Sequence, residues 1–402
     1  MERVKKLRIT SAVVLLLLAL SLRPAPGHVV FGPMLQQLEA DRVLVVEQGL
    51  GSWTLAVRPS TGGEWMRFAP RTMPPSLKRN VFEAKGLSPD TSYDYLLQDA
   101  VGASVGGGRI HTPPPPGAGK VRFIAVGDSG RLPWWNYSAF STGIDIAQGL
   151  KDLLPGRKGQ WELASEMEKV HPDLFIHLGD LVYPWGRRCD YPEAFFLPFA
   201  NLIRNLPVYP CVGNHDMMRE GGQALVDHFE LPGKQGVSEG RYYEFTHGPV
   251  QFICLNAFTP RNELKPGTDQ WKWMLQTLAK PSPFWRIVFL HMPILSSSRS
   301  SSNPDAIRLR ELLHPFFARS GVQLVLSGHD HLYERYKPMD SVTYVVAGAG
   351  GKSLYELAED DRQAAQDNEH YGFLWCDADA DALSCEYRTS GGKVLDRFRI
   401  TH

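Results

Sequence analysis

Seven short apolar runs constrain the fold of this chain more than any other feature: residues 121–126, 174–178, 208–212, 250–256, 285–290, 322–326 and 343–347. They are of strand length, and their apolar residues do not alternate with polar ones. That is the pattern of strands covered on both faces. Helical periodicity lies between several of them, over 161–170, 269–278 and 305–318. Strands alternating with helices predict an α/β domain over residues 120–402, a layered β-sheet core flanked by helices. In such sheets ligands gather where the strands end, so the polar residues at those ends are the first to read.

Five of the ends share one chemistry. They read Gly127-Asp128-Ser129-Gly130, Gly179-Asp180-Leu181-Val182-Tyr183, Gly213-Asn214-His215-Asp216, Leu290-His291, and Gly328-His329-Asp330-His331-Leu332-Tyr333-Glu334-Arg335. Singly, a Gly-Asp or Gly-Asn pair is an ordinary turn. Together they gather carboxylate, amide and imidazole donors at one edge of one domain. Hard cations take oxygen donors, and borderline divalent ions also take imidazole. Two adjacent metals need a bridging ligand, which a carboxylate with its two oxygens supplies. Such a pair clamps a phosphoryl group and acidifies a bound water. The α/β part carries no Gly-x-Ser-x-Gly elbow, P-loop or Gly-x-Gly-x-x-Gly fingerprint, so its motifs point to no other chemistry.

The five segments resemble the five motifs of the purple acid phosphatases, within the metallophosphoesterase superfamily, over residues 127–335. Generic members of that superfamily begin with Asp-x-His, whereas this chain has Asp128-Ser129-Gly130. It places Tyr183 three residues after Asp180, where purple acid phosphatases supply a tyrosine ligand. The resemblance implies a first metal, Fe(III), held by Asp128, Asp180, Tyr183 and His331. It implies a second, Fe(II), Zn(II) or Mn(II), held by Asp180, Asn214, His291 and His329, with Asp180 bridging. His215 is implied as the catalytic residue, protonating the leaving oxygen or stabilising the transition state. The expected activity is hydrolysis of phosphate monoesters by in-line attack of a metal-bound hydroxide. A phosphodiesterase or nucleotide-directed hydrolase with the same metals is the alternative, and a non-catalytic binding protein a third reading. Asp216, Asp330, His177, Tyr333 and Arg335 are expected in supporting roles, and His171 and His314, each before a proline at a helix end, in none.

Two features depart from the family. The stretch after the fourth motif, Met292-Pro293-Ile294-Leu295-Ser296-Ser297-Ser298-Arg299-Ser300-Ser301-Ser302, lacks the histidines often used there for substrate contact. Arg299 could bind phosphate through its fork of donors or be an ordinary solvated arginine. A long segment over 131–160 holds Pro133-Trp134-Trp135-Asn136-Tyr137, either a lid or platform over the site or a surface contact, and Asn136-Tyr137-Ser138 is an N-glycosylation sequon.

The front of the chain reads differently. Short β-like runs at 42–46, 53–57 and 81–83, separated by turn residues, predict an all-β sandwich over 28–112. The run Leu87-Ser88-Pro89-Asp90-Thr91-Ser92-Tyr93 resembles the tyrosine-anchored turn of fibronectin-III domains. Pro113 to Pro116 and Gly117 begin a linker over 113–119. At the start, Arg3, Lys5, Lys6 and Arg8 precede an apolar run over 11–22 and then Pro24-Ala25-Pro26-Gly27. Residues 1–27 therefore read as a secretory signal peptide, and the protein as exported to a periplasm or the exterior. No later run is long and apolar enough to span a bilayer.

Lys+Arg and Asp+Glu are both 43, and this balance argues against a nucleic-acid partner; a small phosphorylated substrate is expected instead. Cys376 and Cys385 flank a turn between strand-like runs and could bridge a hairpin or stay reduced. Cys254 reads as a buried thiol, and without a CxxC spacing a thiolate zinc site is not expected.

Overall fold

The computed structural model describes residues 31–49, 52–73, 79–130, 159–234, 236, 238–258, 264–282 and 284–402. The signal-peptide reading and nearly all of the 131–160 segment, with its aromatic cluster and sequon, fall outside the described residues.

The front of the chain is all β. Phe31–Gln36, Arg42–Gln48 and Arg79–Lys85 form one sheet; Thr54–Pro59, Met66–Phe68, Ser92–Gln98 and Ser104–His111 form the other. Leu35, Val43, Val45 and Phe82 of the first pack on Leu55, Val57, Tyr95 and Leu97 of the second, so the two sheets face each other over one core. The Tyr93 hydroxyl accepts from the Ser88 backbone N–H at 2.7 Å and closes the turn expected from the sequence. This unit packs against the rest of the chain through polar contacts at buried positions. The Tyr95 hydroxyl donates to the Arg204 carbonyl at 2.7 Å, and Arg79 pairs with Glu230.

The remainder is the layered α/β domain. One six-stranded sheet has the order 208–210, 174–177, 121–126, 372–378, 383–389, 394–400. One seven-stranded sheet has the order 243–247, 250–254, 285–289, 324–327, 343–347, 333–336, 363–367. The strands anticipated from apolar runs are the parallel ones. Val121–Val126, Leu174–His177 and Val208–Pro210 run parallel in the first sheet; Val250–Cys254, Trp285–Phe289, Leu324–Ser327 and Thr343–Ala347 do so in the second. The faces meet through contacts such as Phe123 on Phe252, edge to face at 5.3 Å. The helix Gly159–Lys169 buries Leu163, Ala164 and Met167 against the first sheet's core. Asp269–Ala279 and Pro304–Arg319 cover the second, burying Trp271, Met274, Leu313 and Phe317 against Ile253, Val288 and Val325.

Pro304–Arg319 continues through Pro315. His314 therefore lies inside the helix and not at its end. Its ring contacts the Tyr344 hydroxyl at 2.8 Å and the Asp340 carboxylate at 3.0 Å. Cys376 and Cys385 are directly opposed on neighbouring antiparallel strands and form a disulfide. Cys254 is a buried free thiol that burial pushes well above the ordinary thiol range. Among the described residues no helix is long and apolar enough to cross a membrane.

Candidate metal centre

The five polar strand ends converge on one edge of the domain. Asp128 follows Val121–Val126, Asp180 follows Leu174–His177, and Asn214 and His215 follow Val208–Pro210; His291 follows Trp285–Phe289, and His329 and His331 follow Leu324–Ser327. Asp128, Asp180 and His329 have φ of 62°, 54° and 70°, the left-handed region. Short polar side chains tolerate it better than most, but each instance still costs on the order of 1–3 kcal/mol. In this conformation the three side chains meet their partners in the site just as each strand stops.

The side chains form two groups around Asp180. In the first, the Tyr183 hydroxyl donates to Asp128 Oδ1 at 2.7 Å and lies 3.0 Å from His331 Nε2, which is 3.4 Å from Asp128 Oδ1. In the second, Asn214 Oδ1 lies 3.1 Å from His291 Nε2 and 2.9 Å from His329 Nδ1. His291 Nε2 is 3.4 Å from Asp180 Oδ2, and the Asp128, Asp180 and His291 donor atoms all lie within 4.8 Å of one another. All seven residues singled out as ligands are therefore brought together. Donors sharing one ion through bonds of about 2.0–2.1 Å lie roughly 3.0–3.4 Å apart, so these separations fit metal coordination. Two donor groups joined at a carboxylate fit two metal ions.

Three imidazoles are aimed by the backbone. His291 Nδ1 pairs with the Leu178 carbonyl at 2.6 Å, His331 Nδ1 with the Ser353 carbonyl at 2.8 Å, and His215 Nδ1 with the Pro184 carbonyl at 2.7 Å. A carbonyl fixes Nδ1 as the donor and leaves Nε2 facing the site, as metal-ligating histidines require. His215 Nε2 lies 3.9 Å from Asp180 Oδ2, and its ring rests on Tyr183 with centroids 4.4 Å apart.

The site's field calls for positive charge. Burial opposes ionisation of Asp180, but His291 and His215 outweigh it and hold the carboxyl well below its usual range. Burial likewise disfavours the His291 imidazolium, yet Asp180 and Asp128 push that imidazole up to about 10. His329 moves the other way, down to about 4, through burial and then the charge on His291. Burial, Asp128 and Asp180 push the Tyr183 phenol well up. A buried carboxylate pair that draws a proton onto a neighbouring imidazole is the environment a cation would stabilise.

Supporting residues also fall where they were expected. Asp216 is buried and accepts from the backbone N–H groups of Asp180, Leu181 and Gly213 at 2.9, 3.0 and 3.0 Å, tying two motif loops together. Burial and the charge of Asp180 push its carboxyl up to about 7 against those donors. His177 meets the Ser129 hydroxyl at 2.8 Å beneath the site. Asp330 turns away from the donors to accept from the Ser300 N–H at 3.1 Å. Tyr333 and Arg335 both bond Asp396, outside the site. A Cβ on Gly213 would lie 2.1 Å from Asp180 Oδ1, so the loop after the third strand closes on the carboxylate only because glycine is there.

Three neighbours of the site were not singled out from the sequence. Phe258 lies 5.4 Å from the His291 ring and 5.5 Å from that of His329. Tyr355 stacks on His331 with centroids 4.0 Å apart. Lys352 donates its backbone N–H to the Asp128 carbonyl at 3.0 Å, and its ammonium lies 5.2 Å above the Tyr183 ring. The one available signal was Gly350-Gly351 just after a buried strand.

Comparison with known proteins agrees with this geometry. The calcineurin-like phosphoesterase family model matches residues 121–333, more than half the chain, and the chain belongs to that family. It is 26% identical over 251 residues to purple acid phosphatase 18 of Arabidopsis thaliana, covering 58% of this chain and 49% of that protein. It is 26% identical over 333 residues to a nucleotide pyrophosphatase/phosphodiesterase of Hordeum vulgare, covering 72% of this chain and 86% of that one. The structure of a purple acid phosphatase from yellow lupin (Lupinus luteus) seeds superposes with a TM-score of 0.76 at 20% identity, covering 92% of this chain and 74% of that one. The chain spans about half the length of the first curated relatives it matches.

Proposed function

We propose that the protein is a binuclear metallophosphoesterase of the purple acid phosphatase type that cleaves phosphate monoesters. One observation carries the reading: the buried Asp180 carboxylate lies against two donor groups, with Asp128, Tyr183 and His331 on one side and Asn214, His291 and His329 on the other. Asp128, Asp180, Tyr183 and His331 would hold the first ion, and phenolate with two carboxylates suits Fe(III). Asp180, Asn214, His291 and His329 would hold Fe(II), Zn(II) or Mn(II). When bound, the ions supply Lewis-acid charge and a water acidified enough to attack phosphorus.

The chain's own residues do the rest. Asp216 fixes the Asp180 and Asn214 loops against each other. The Pro184 carbonyl holds the proton of His215 on Nδ1, so Nε2 faces the site at 26% side-chain exposure, open enough to reach a substrate. In its imidazolium form His215 carries a second proton on Nε2, and it is this proton that it delivers to the departing oxygen, keeping the one on Nδ1. Phe258 and Tyr355 wall the site with apolar surface.

A diester or nucleotide substrate is the second reading. Two observations favour it: the absence of histidine from residues 292–302, and the similarity to the Hordeum vulgare protein. Hydrolysis of p-nitrophenyl phosphate and its bis-ester, side by side on metal-loaded protein from acidic to neutral pH, separates the two. Faster monoester turnover supports the first reading, faster diester turnover the second. Export is proposed with either, on the basic-then-apolar start of the sequence and the Cys376–Cys385 disulfide, which persists best in an oxidising compartment. The front β unit is proposed as a fibronectin-III-like domain joined by the proline linker over 113–119.

A further inference from the structure

Arg299 stacks beside the proposed metal centre, and among the described residues its guanidinium donors are unengaged. Its guanidinium carbon lies 3.6 Å from the centre of the Tyr355 ring, and the His331 imidazole stacks on the same ring at 4.0 Å and 24°. Two groups so close to one ring must occupy opposite faces. Cation, phenol and imidazole therefore form a three-layer stack that ends at the site. Taking the two separations end to end, the guanidinium carbon is at most 7.6 Å from the His331 ring centre.

The backbone around Arg299 is held from both sides. Ser297 N–H donates to Glu334 Oε1 at 3.1 Å, the Ser298 hydroxyl to the Glu356 carbonyl at 2.9 Å, and Ser300 N–H to Asp330 Oδ2 at 3.1 Å. Asp330 and Glu334 are buried, and Asp330 sits between His329 and His331. The loop is thus tied to the very strand end that carries two of the proposed ligands. Arg299 is exposed, and among the described residues its guanidinium makes no hydrogen bond or ion pair and stacks on Tyr355. Arg42, Arg188 and Arg362, by contrast, pair with carboxylates. Stacking orders a long side chain while leaving its in-plane N–H fork open, and such a fork matches a phosphoryl group.

We propose that Arg299, seated on Tyr355, forms a second anion subsite, so that the preferred substrate carries two phosphoryl groups, one at the metal centre and one at the guanidinium. This rests on the phosphoesterase reading and narrows its substrate class. Pre-ordering by the stack and the pinned loop reduces the entropy lost when the second group binds.

The test uses the metal-loaded full chain as wild type, Arg299→Ala and Arg299→Lys. Values of kcat/KM are measured for ADP and for p-nitrophenyl phosphate, and binding of inorganic pyrophosphate and inorganic phosphate is measured by calorimetry. A charge-assisted contact predicts that Arg299→Ala lowers the ADP-to-nitrophenyl selectivity ratio about tenfold or more, mainly through KM. Arg299→Lys, which keeps charge but not the fork, should fall between. The pyrophosphate Kd should weaken by a similar factor while that of phosphate moves less. A selectivity ratio within twofold of wild type, or equal losses on both substrates, overturns the subsite. If the wild type turns over no ester yet binds pyrophosphate through Arg299, the phosphoesterase reading fails and the subsite stands.

Discussion

Replacing Gly213 by alanine tests whether Asp180 must sit where it does. A Cβ there would lie 2.1 Å from Asp180 Oδ1, 2.3 Å from its backbone nitrogen and 2.9 Å from Cγ. Ordinary contact begins at 3.4 Å, so the carboxylate or the loop must yield by about 1.3 Å. Gly213 has φ −99° and ψ 171°, a conformation alanine adopts freely, so backbone strain adds nothing. Overpacking of this kind costs about 1–3 kcal/mol. A misplacement of about 1 Å at a reacting centre costs roughly 10²-fold in rate. Gly213→Ala should therefore fold with a modestly lowered Tm, bind less than its full metal complement, and lose about two orders of magnitude in kcat. Gly391→Ala is the control, since a Cβ there meets its nearest neighbour at 3.7 Å. Metal content by plasma mass spectrometry, thermal melting and nitrophenyl phosphate turnover would be read on both. A Gly213→Ala protein with wild-type metal content and kcat within about threefold would refute the reasoning.

Two further expectations follow from the site and the core. Tyr183→Phe removes a buried hydroxyl that bonds Asp128 and faces His331; it should cost about 1 kcal/mol of stability, at least about tenfold in activity, and the visible absorption of the Fe(III)-loaded protein. A band that persists in Tyr183→Phe excludes a phenolate ligand. Acid should destabilise the fold through His228 and His247, which burial pushes down to about 3 and about 4. Below pH 6.5 the unfolded chain takes protons that the native protein refuses, so stability present above 6.5 is lost as pH falls. The slope reaches about 1.4 kcal/mol per pH unit for each group once the unfolded histidines are fully protonated, so the two together remove about 3 kcal/mol between pH 6.5 and 5. Urea unfolding at several pH values reads this slope, His247→Gln should remove about half of what these two groups contribute, and a slope unchanged in that variant would contradict the assignment.

Most of the site was legible because each donor follows a run that could only be a buried strand. Strand ends in an α/β sheet converge, so Asp128, Asp180, Asn214, His291, His329 and His331 could be grouped from the sequence. Tyr183 was placed by its three-residue offset from Asp180, together with the family resemblance. What escaped lies in segments without periodicity. Tyr355 and Lys352 sit in an irregular stretch whose contacts run to His331 and Asp128, and nothing in the local sequence encodes such a partner. Phe258 stands alone after a strand. The strands Tyr333–Tyr336 and Gln363–Asp367 were also missed: the first is an inner strand but carries Glu334 and Arg335 within four residues, and the second is a partly exposed edge strand of mixed polarity, so neither has the continuous apolar signature of the parallel ones. Arg299 was visible as a residue, but its significance comes from the Tyr355 ring beneath it, a contact across 56 positions of the sequence.

Anomalous diffraction from crystals of the metal-loaded protein tests the central claim most directly. The account predicts two peaks about 3.5–4 Å apart, one between Asp128, Tyr183 and His331 and one between Asn214, His291 and His329, with Asp180 reaching both. A single peak, or metal density away from Asp180, would contradict it.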